Sequence, residues 1–383
     1  MESDWPSWSS TPPLAPDLTL ASVFRLRDLD HLEALYAGAE EGFIYARDGH
    51  PNAKRLADRL AEIEGAEAGL VVGSGMAAVA ALFLSLLKPG DRVVSAREIY
   101  GKTRALLNDW LGRMGVVATF IDATDIQAVG AALAERPRLL WLESLSNPLC
   151  RAARLDRIAP LARQSGTLIA IDATFAPPPI LRPLQFGADI VVHSLTKMLS
   201  GHGDVTMGAL CGSRELISTI QPVTSTFGMH ASAFDCWLTE RGLETLELRA
   251  RMASTNALQV ARWLTEQSGV AAVHYPGLPT HPDAEWLQSV GALSGSMLSF
   301  DLPGGREAAN RFLRELKRTP FCPSLGDVRT TVSHPWLTSH RALSEDERRD
   351  LGITPGTIRV SVGIEPAEET IADFAGALRG LGR

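Results

Sequence analysis

Apolar, β-branched runs that stop abruptly at a polar residue recur along this chain of 383 residues. They are Gly69-Leu70-Val71-Val72, Arg92-Val93-Val94-Ser95, Leu139-Leu140-Trp141-Leu142-Glu143, Leu168-Ile169-Ala170-Ile171-Asp172 and Ile190-Val191-Val192-His193. Continuous rather than alternating apolar character predicts strands buried on both faces. Between the runs the period changes. Leu56, Leu60 and Ile63 have helical spacing within Asn52 to Gly65, and an apolar helix is predicted from Met76 to Leu87, stopped by Lys88-Pro89-Gly90-Asp91. Strands alternating with helices predict an α/β fold, a large parallel or mixed sheet with helices on both faces. After Phe234 the pattern predicts one long helix through Arg249 to Leu264, then a smaller α+β portion with strands at Met297–Phe300 and Thr357–Ser361. The expected organisation is an arm over residues 1–48, a large α/β domain over 49–235 and a C-terminal α+β domain over 236–383. No internal repeat or low-complexity tract interrupts it.

Composition narrows the class. The chain is 45% hydrophobic and 21% charged, which suits a globular enzyme with a sizeable core. A net charge of -7 without a dense basic block argues against nucleic acid and anionic membrane surfaces as partners. No apolar run is long enough to span a bilayer. Met1-Glu2-Ser3-Asp4-Trp5-Pro6 starts acidic and has no apolar core, so no secretory signal is expected. The four cysteines, Cys150, Cys211, Cys236 and Cys322, show no metal-ligand spacing. They are expected to be buried and reduced in a cytoplasmic protein, with no metal site.

Two of the strand runs lead into reactive groups. Asp172 ends one, and Lys197 follows the other in His193-Ser194-Leu195-Thr196-Lys197. Ligand-reactive groups of parallel sheets gather at such carboxyl ends. A carboxylate and a lysine placed there suit pyridoxal phosphate (PLP), the aspartate holding the pyridine nitrogen protonated and the lysine forming the Schiff base; the alternative for the bare pair is two surface charges. Gly73-Ser74-Gly75-Met76 lies between a strand and a helix, where backbone N–H groups and the helix N-terminus can hold a phosphate; the alternative is an ordinary strand-to-helix turn.

The run His193-Ser194-Leu195-Thr196-Lys197-Met198-Leu199-Ser200-Gly201-His202-Gly203-Asp204 resembles the lysine segment of the Cys/Met-metabolism (transsulfuration) family of PLP enzymes. Asp172-Ala173-Thr174-Phe175-Ala176 and Arg359-Val360-Ser361-Val362-Gly363 extend the resemblance, which runs from about Phe43 to the C-terminus. It implies the fold type I architecture. It also implies that Gly75 and Met76 donate N–H groups to the cofactor phosphate, with Ser194 and Thr196 adding hydroxyls. Tyr100 would stack on the pyridine ring and Asn147 would bond its phenolic oxygen. Arg359 would grip the substrate carboxylate, a task that suits a bidentate guanidinium. Tyr45 and Arg47 would reach the phosphate of a neighbouring subunit, making the protein a homodimer or homotetramer acting on a small amino acid.

Departures from the family pattern bear on the reaction. Leu145 replaces a proline ahead of Asn147, His50 replaces an asparagine, Gly203 a serine and Met207 a glycine. Lys102 stands where methionine γ-lyases carry a cysteine. Ser324-Leu325-Gly326-Asp327-Val328-Arg329 looks more like O-acylhomoserine sulfhydrylases than like cystathionine synthases and lyases, so Ser324 and Arg329 are expected at the substrate. The expected activity is γ-replacement on an O-acylhomoserine, of sulfhydrylase or cystathionine γ-synthase type. The alternative is elimination by a cystathionine γ- or β-lyase. A PLP-fold protein without turnover is disfavoured by the intact Lys197, Asp172, Tyr100 and Arg359.

Overall fold

The computed structural model of the chain describes residues 14–291 and 293–381. The first part of the expected arm and the acidic N-terminal start, through residue 13, lie outside the described residues. Seven strands form one sheet: β1 (Ala68–Val72), β2 (Arg92–Ala96), β3 (Val117–Ile121), β4 (Leu139–Glu143), β5 (Leu168–Asp172), β6 (Ile190–Ser194) and β7 (Gly208–Gly212), in the order β1-β7-β6-β5-β4-β2-β3. β7 runs antiparallel to both its neighbours, and the remaining pairs are parallel. The sheet is therefore mixed. The sequence pattern shows no strand at β7 because it is short, bounded by glycines and without a β-branched residue, Gly208-Ala209-Leu210-Cys211-Gly212. Packing explains the glycine at its start: a Cβ on Gly208 would lie 2.2 Å from the Ser74 carbonyl oxygen.

The core lies on the central strands. β4 is buried from Leu139 through Leu142, and the apolar helix Gly75–Leu86, which lies over β6 and β7, buries Ala78, Val79, Leu82 and Phe83 in the same core. Phe83 meets Trp141 edge to face at 5.0 Å between centroids. A fully buried side chain of this size contributes roughly 2–3 kcal/mol through the water it excludes. The parallel register sets Glu143 beside Asp172, and Asp172 beside Val192. Three strand ends thus open onto one rim.

The second sheet has four antiparallel strands, β8 (Ala272–His274), β9 (Met297–Asp301), β10 (Thr331–Ser333) and β11 (Thr357–Ser361), in the order β10-β11-β9-β8. Ile358 and Val360 of β11 join Phe300, Phe312 and Phe374 in a core under the helices Gly305–Glu315 and Ala367–Leu381. Strand alternation turns the intervening Arg359 to the opposite face, toward the large sheet.

The long helix expected after Phe234 is two helices, Ala233–Leu243 and Leu246–Thr265. The break has a local cause. Gly242 packs so closely on Ser200 that a Cβ would lie 2.4 Å from its carbonyl oxygen, and the released Gly242 carbonyl accepts from Arg249 Nη2 at 2.8 Å. Arg249 also donates to the carbonyls of Met198 (2.7 Å) and Leu199 (3.2 Å). The break therefore aims a buried guanidinium at the loop that carries Lys197. The second helix places Leu246 and Ala250 in the core of the large sheet and Ala257, Val260 and Leu264 in that of the small one.

Candidate active site

Each candidate side chain sits where a strand ends or a helix begins. Asp172 closes β5, and its carboxylate accepts from the Thr174 N–H at 3.0 Å. Burial, opposed by that bond and by His193, raises its pKa above the ordinary aspartate value. Glu143, beside it on β4, accepts from the Tyr100 N–H at 2.6 Å and titrates well above the usual range, through burial and then the Asp172 charge. Two neighbouring carboxyls in a dry site cannot both ionise cheaply without a cationic partner.

Lys197 lies in the turn after β6. Its Nζ donates to Ser324 Oγ at 3.3 Å, and burial, then the Arg359 charge, lowers its pKa. A lysine held closer to neutrality is a competent nucleophile and base. The turn is braced from three sides. Thr174 Oγ1 accepts from the Ser194 N–H (2.9 Å), Thr196 Oγ1 exchanges bonds with the Met207 N–H and carbonyl (3.1 and 3.3 Å), and Gly326 presses on it so closely that a Cβ would lie 2.4 Å from Met198 N. The Thr196 hydroxyl is thus engaged with Met207.

Arg359 is 5% exposed. Nη1 donates to Asn147 Oδ1 (3.1 Å), Nη2 to the Ser324 carbonyl (2.9 Å), and its guanidinium lies 5.7 Å over the Phe175 ring. Burial lowers its pKa to about 10. Its Nε has no partner, and among the described residues no carboxylate pairs with it. Lys197, Ser324, Arg359 and Asn147 therefore form one connected group drawn from both sheets. Phe175 and His340 complete it. His340 is buried against the Asn147 backbone with its pKa lowered to about 4, first by burial and then by Arg359. Phe175 is part of the motif around Asp172 but carries no sequence signal for a role, and nothing in the sequence marks His340.

The glycine turn makes a cradle. Ser74 caps the helix Gly75–Leu86 by accepting from the Ala77 N–H at 3.0 Å. The N–H groups of Gly75 and Met76, in the first turn, have no intrahelical acceptor. A Cβ on Gly75 would lie 2.9 Å from Ser194 Cβ and 3.1 Å from its Oγ. Gly75 thus brings a helix N-terminus and the Ser194 hydroxyl to one point. Free N–H groups and a hydroxyl suit a phosphate, the Asp172–Glu143 pair suits a protonated ring nitrogen, and Lys197 suits an aldehyde. The donor set fits pyridoxal phosphate.

The remaining candidates lie further out. Tyr100 precedes the short helix Gly101–Ala105 and is 43% exposed, as is Tyr45. Arg47 lies over the Tyr45 ring at 5.2 Å. Arg329 is exposed, and its Nε pairs with Asp327 Oδ1 at 3.0 Å. The same Asp327 explains Gly203: its Oδ2 would be 2.8 Å from a Cβ there, and φ is +65°. His50 caps the helix Pro51–Glu64, with Nδ1 accepting from the Ala53 N–H (3.2 Å) and Nε2 donating to the Ala231 carbonyl (3.0 Å). Lys102 is exposed. Cys150, Cys211 and Cys236 are buried free thiols, and Cys322 is half-buried.

No described helix is long and apolar enough to cross a membrane. The model of the Cys/Met metabolism PLP-dependent enzyme family matches residues 8–379. The L-methionine gamma-lyase of Pseudomonas putida is 36% identical over 96% of this chain and 92% of its own length. The O-succinylhomoserine sulfhydrylase of Pseudomonas aeruginosa is 36% identical over 95% of this chain and 90% of its own. The crystal structure of cystathionine gamma synthase from Xanthomonas oryzae pv. oryzae, in complex with aminoacrylate and cysteine, superposes with a TM-score of 0.91 at 33% identity, covering 96% of this chain and 94% of that one. Sequence, fold and a donor set that fits the cofactor agree along nearly the whole length: the chain belongs to the Cys/Met metabolism PLP-dependent enzyme family.

Proposed function

We propose that the protein catalyses γ-replacement on an O-acylhomoserine, exchanging the γ-acyloxy group, which leaves as a carboxylate, for a sulfur nucleophile. The observation that carries an amino-acid substrate is Arg359: a buried cation with a free Nε and no carboxylate partner among the described residues, joined to Lys197 through Ser324. Gly75, Met76 and Ser194 would hold the cofactor phosphate, Asp172 its ring nitrogen, and Tyr100 would cover the ring. The bound cofactor supplies an electron sink that stabilises negative charge at the substrate α-carbon. Arg359 orients the substrate by its carboxylate, with Asn147 and the Ser324 carbonyl fixing the guanidinium. Lys197 Nζ takes the α-proton and serves again as acid and base at the β-carbon. Replacement is favoured over elimination by Gly326-Asp327-Val328-Arg329 and by Lys102. The half-buried and buried free thiols suit a reducing, cytoplasmic setting.

Purified holoenzyme given O-acetylhomoserine or O-succinylhomoserine with sulfide should consume ester faster than it cleaves cystathionine or methionine. Faster cleavage of either thioether would make it a lyase. Arg329 shares its charge with Asp327 at the rim, so its influence is expected to be small. Arg329→Glu should move the ester-to-cystathionine ratio toward cystathionine by only a few-fold, in line with the weak coupling of exposed charges; an unchanged ratio would remove Arg329 from the site.

The arm supports a dimer. Leu14, Leu20, Val23, Leu29 and Tyr36 are exposed large apolar side chains, and Tyr45 and Arg47 lie at the end of the same segment. A run of exposed apolar side chains along one segment is what a partner surface would cover. We place Tyr45 and Arg47 at the phosphate of a neighbouring site. Arg47→Ala and Lys197→Ala chains, each inactive alone, should regain about a quarter of wild-type activity when mixed equally and allowed to exchange. Half the dimers are then hybrids holding one intact site. No recovery after verified exchange would show that both residues serve their own chain.

A further inference from the structure

The helix Gly305–Glu315 carries Arg306, Ala309, Asn310, Leu313 and Arg314 on one face, at the i, i+3, i+4, i+7 and i+8 positions of a single stripe. Across from it stand Phe321, His334 and Leu337, enclosing a cleft of about 320 Å³. That is within the size range of small-molecule sites, about 300–1,000 Å³. Phe321 and Leu337 are exposed apolar walls. His334 forms a buried wall; its Nε2 bonds the Pro355 carbonyl at 2.9 Å and its Nδ1 has no partner. Neither arginine has an ion-pair partner among the described residues, and no carboxylate lines the cleft.

The charges are separated in a defined way. Eight residues of helix hold the two arginine Cα atoms about 12 Å apart, with the Asn310 amide midway. A compact anion such as phosphate would engage one arginine and leave the apolar wall wet. We propose that this cleft binds an extended organic dianion, one carboxylate on Arg306 and the other on Arg314, with an apolar body against Leu313, Phe321 and Leu337. None of these residues belongs to the candidate active site, so this proposal and the reaction assignment stand or fall separately.

Calorimetric titration of the holoenzyme with succinate, adipate, suberate and sebacate tests it. Saturable binding of one ligand per chain is expected, tightening with chain length toward suberate and sebacate. Octanoate, which keeps the apolar body and loses one carboxylate, should bind more weakly than sebacate. Arg306→Glu and Arg314→Glu should each weaken sebacate binding at least about tenfold, roughly 1.4 kcal/mol, and leave turnover of the amino-acid substrate unchanged. Absence of saturable binding, affinity indifferent to chain length, or sebacate binding that survives both substitutions, as it would if the diacid sat on Arg359, would overturn the proposal.

Discussion

Lys197→Ala is expected to lower turnover by at least about 10³-fold and to abolish the visible absorbance of the holoenzyme. Two losses combine. A positioned acid–base group contributes about 10²–10⁴-fold, and on the proposed assignment the covalent anchor of the cofactor goes with the same amine. The environment of Lys197 explains why no neighbour can stand in. Its amine is kept closer to neutral by burial and by the Arg359 charge, and it is aimed by Ser324 Oγ at 3.3 Å. Lys102, which lies near Tyr100 in sequence, is exposed. Absorbance spectra and single-turnover kinetics of the variant, with cofactor retention measured separately, check the expectation. A variant that keeps both the absorbance and the turnover would remove Lys197 from its role.

Asp172→Asn is expected to leave the cofactor bound, to cut turnover by at least about 10²-fold, and to stabilise the cofactor-free protein at neutral pH. The first effect follows because a neutral amide cannot hold a ring nitrogen protonated; loss of one preorganised electrostatic partner costs about 10²–10³-fold. The stability effect follows from the direction of the pKa shift. Burial raises the Asp172 pKa above its unfolded value of 3.8. The folded, cofactor-free chain thus binds this proton more tightly than the unfolded chain does. Its stability falls as pH rises from the unfolded value through the folded one, and the penalty is fully present above both. Glu143, raised further by burial and by Asp172, adds in the same sense. Asparagine removes the Asp172 part, so the apo variant should melt above the apo wild type at pH 7 and match it near pH 3. A protein that is more stable and less active fits a site strained for function. Wild-type turnover in the variant, or an apo melting temperature below that of wild type at pH 7, would show that Asp172 does not sit as described.

Much of the fold and part of the site were legible from residue order alone. Strands buried on both faces need unbroken apolar runs, and this made β1, β2, β4, β5 and β6 visible. Reactive groups follow those runs directly, so Asp172 and Lys197 were found at strand ends, and the glycine turn before the helix at Gly75 announced a cradle. These features are local, and local chemistry is written in consecutive residues. What the tertiary structure decided depends on contacts between distant segments. β7 begins at Gly208 because the Ser74 backbone lies against that residue, and its antiparallel direction comes from pairing, which no hydrophobic period encodes. The break between Leu243 and Leu246 exists because Gly242 packs on Ser200 and Arg249 takes up the freed carbonyl. His50, which departs from the family pattern, caps a helix, and Arg329, expected at the substrate, is exposed and pairs with Asp327. Glu143 read only as a strand end and His340 drew no notice, because the shift of each comes from burial beside a group far away in the chain. Burial and partner charge set a side chain's protonation and reach, and both are properties of the packed structure, whereas the order of apolar and polar residues constrains only which segments can pack.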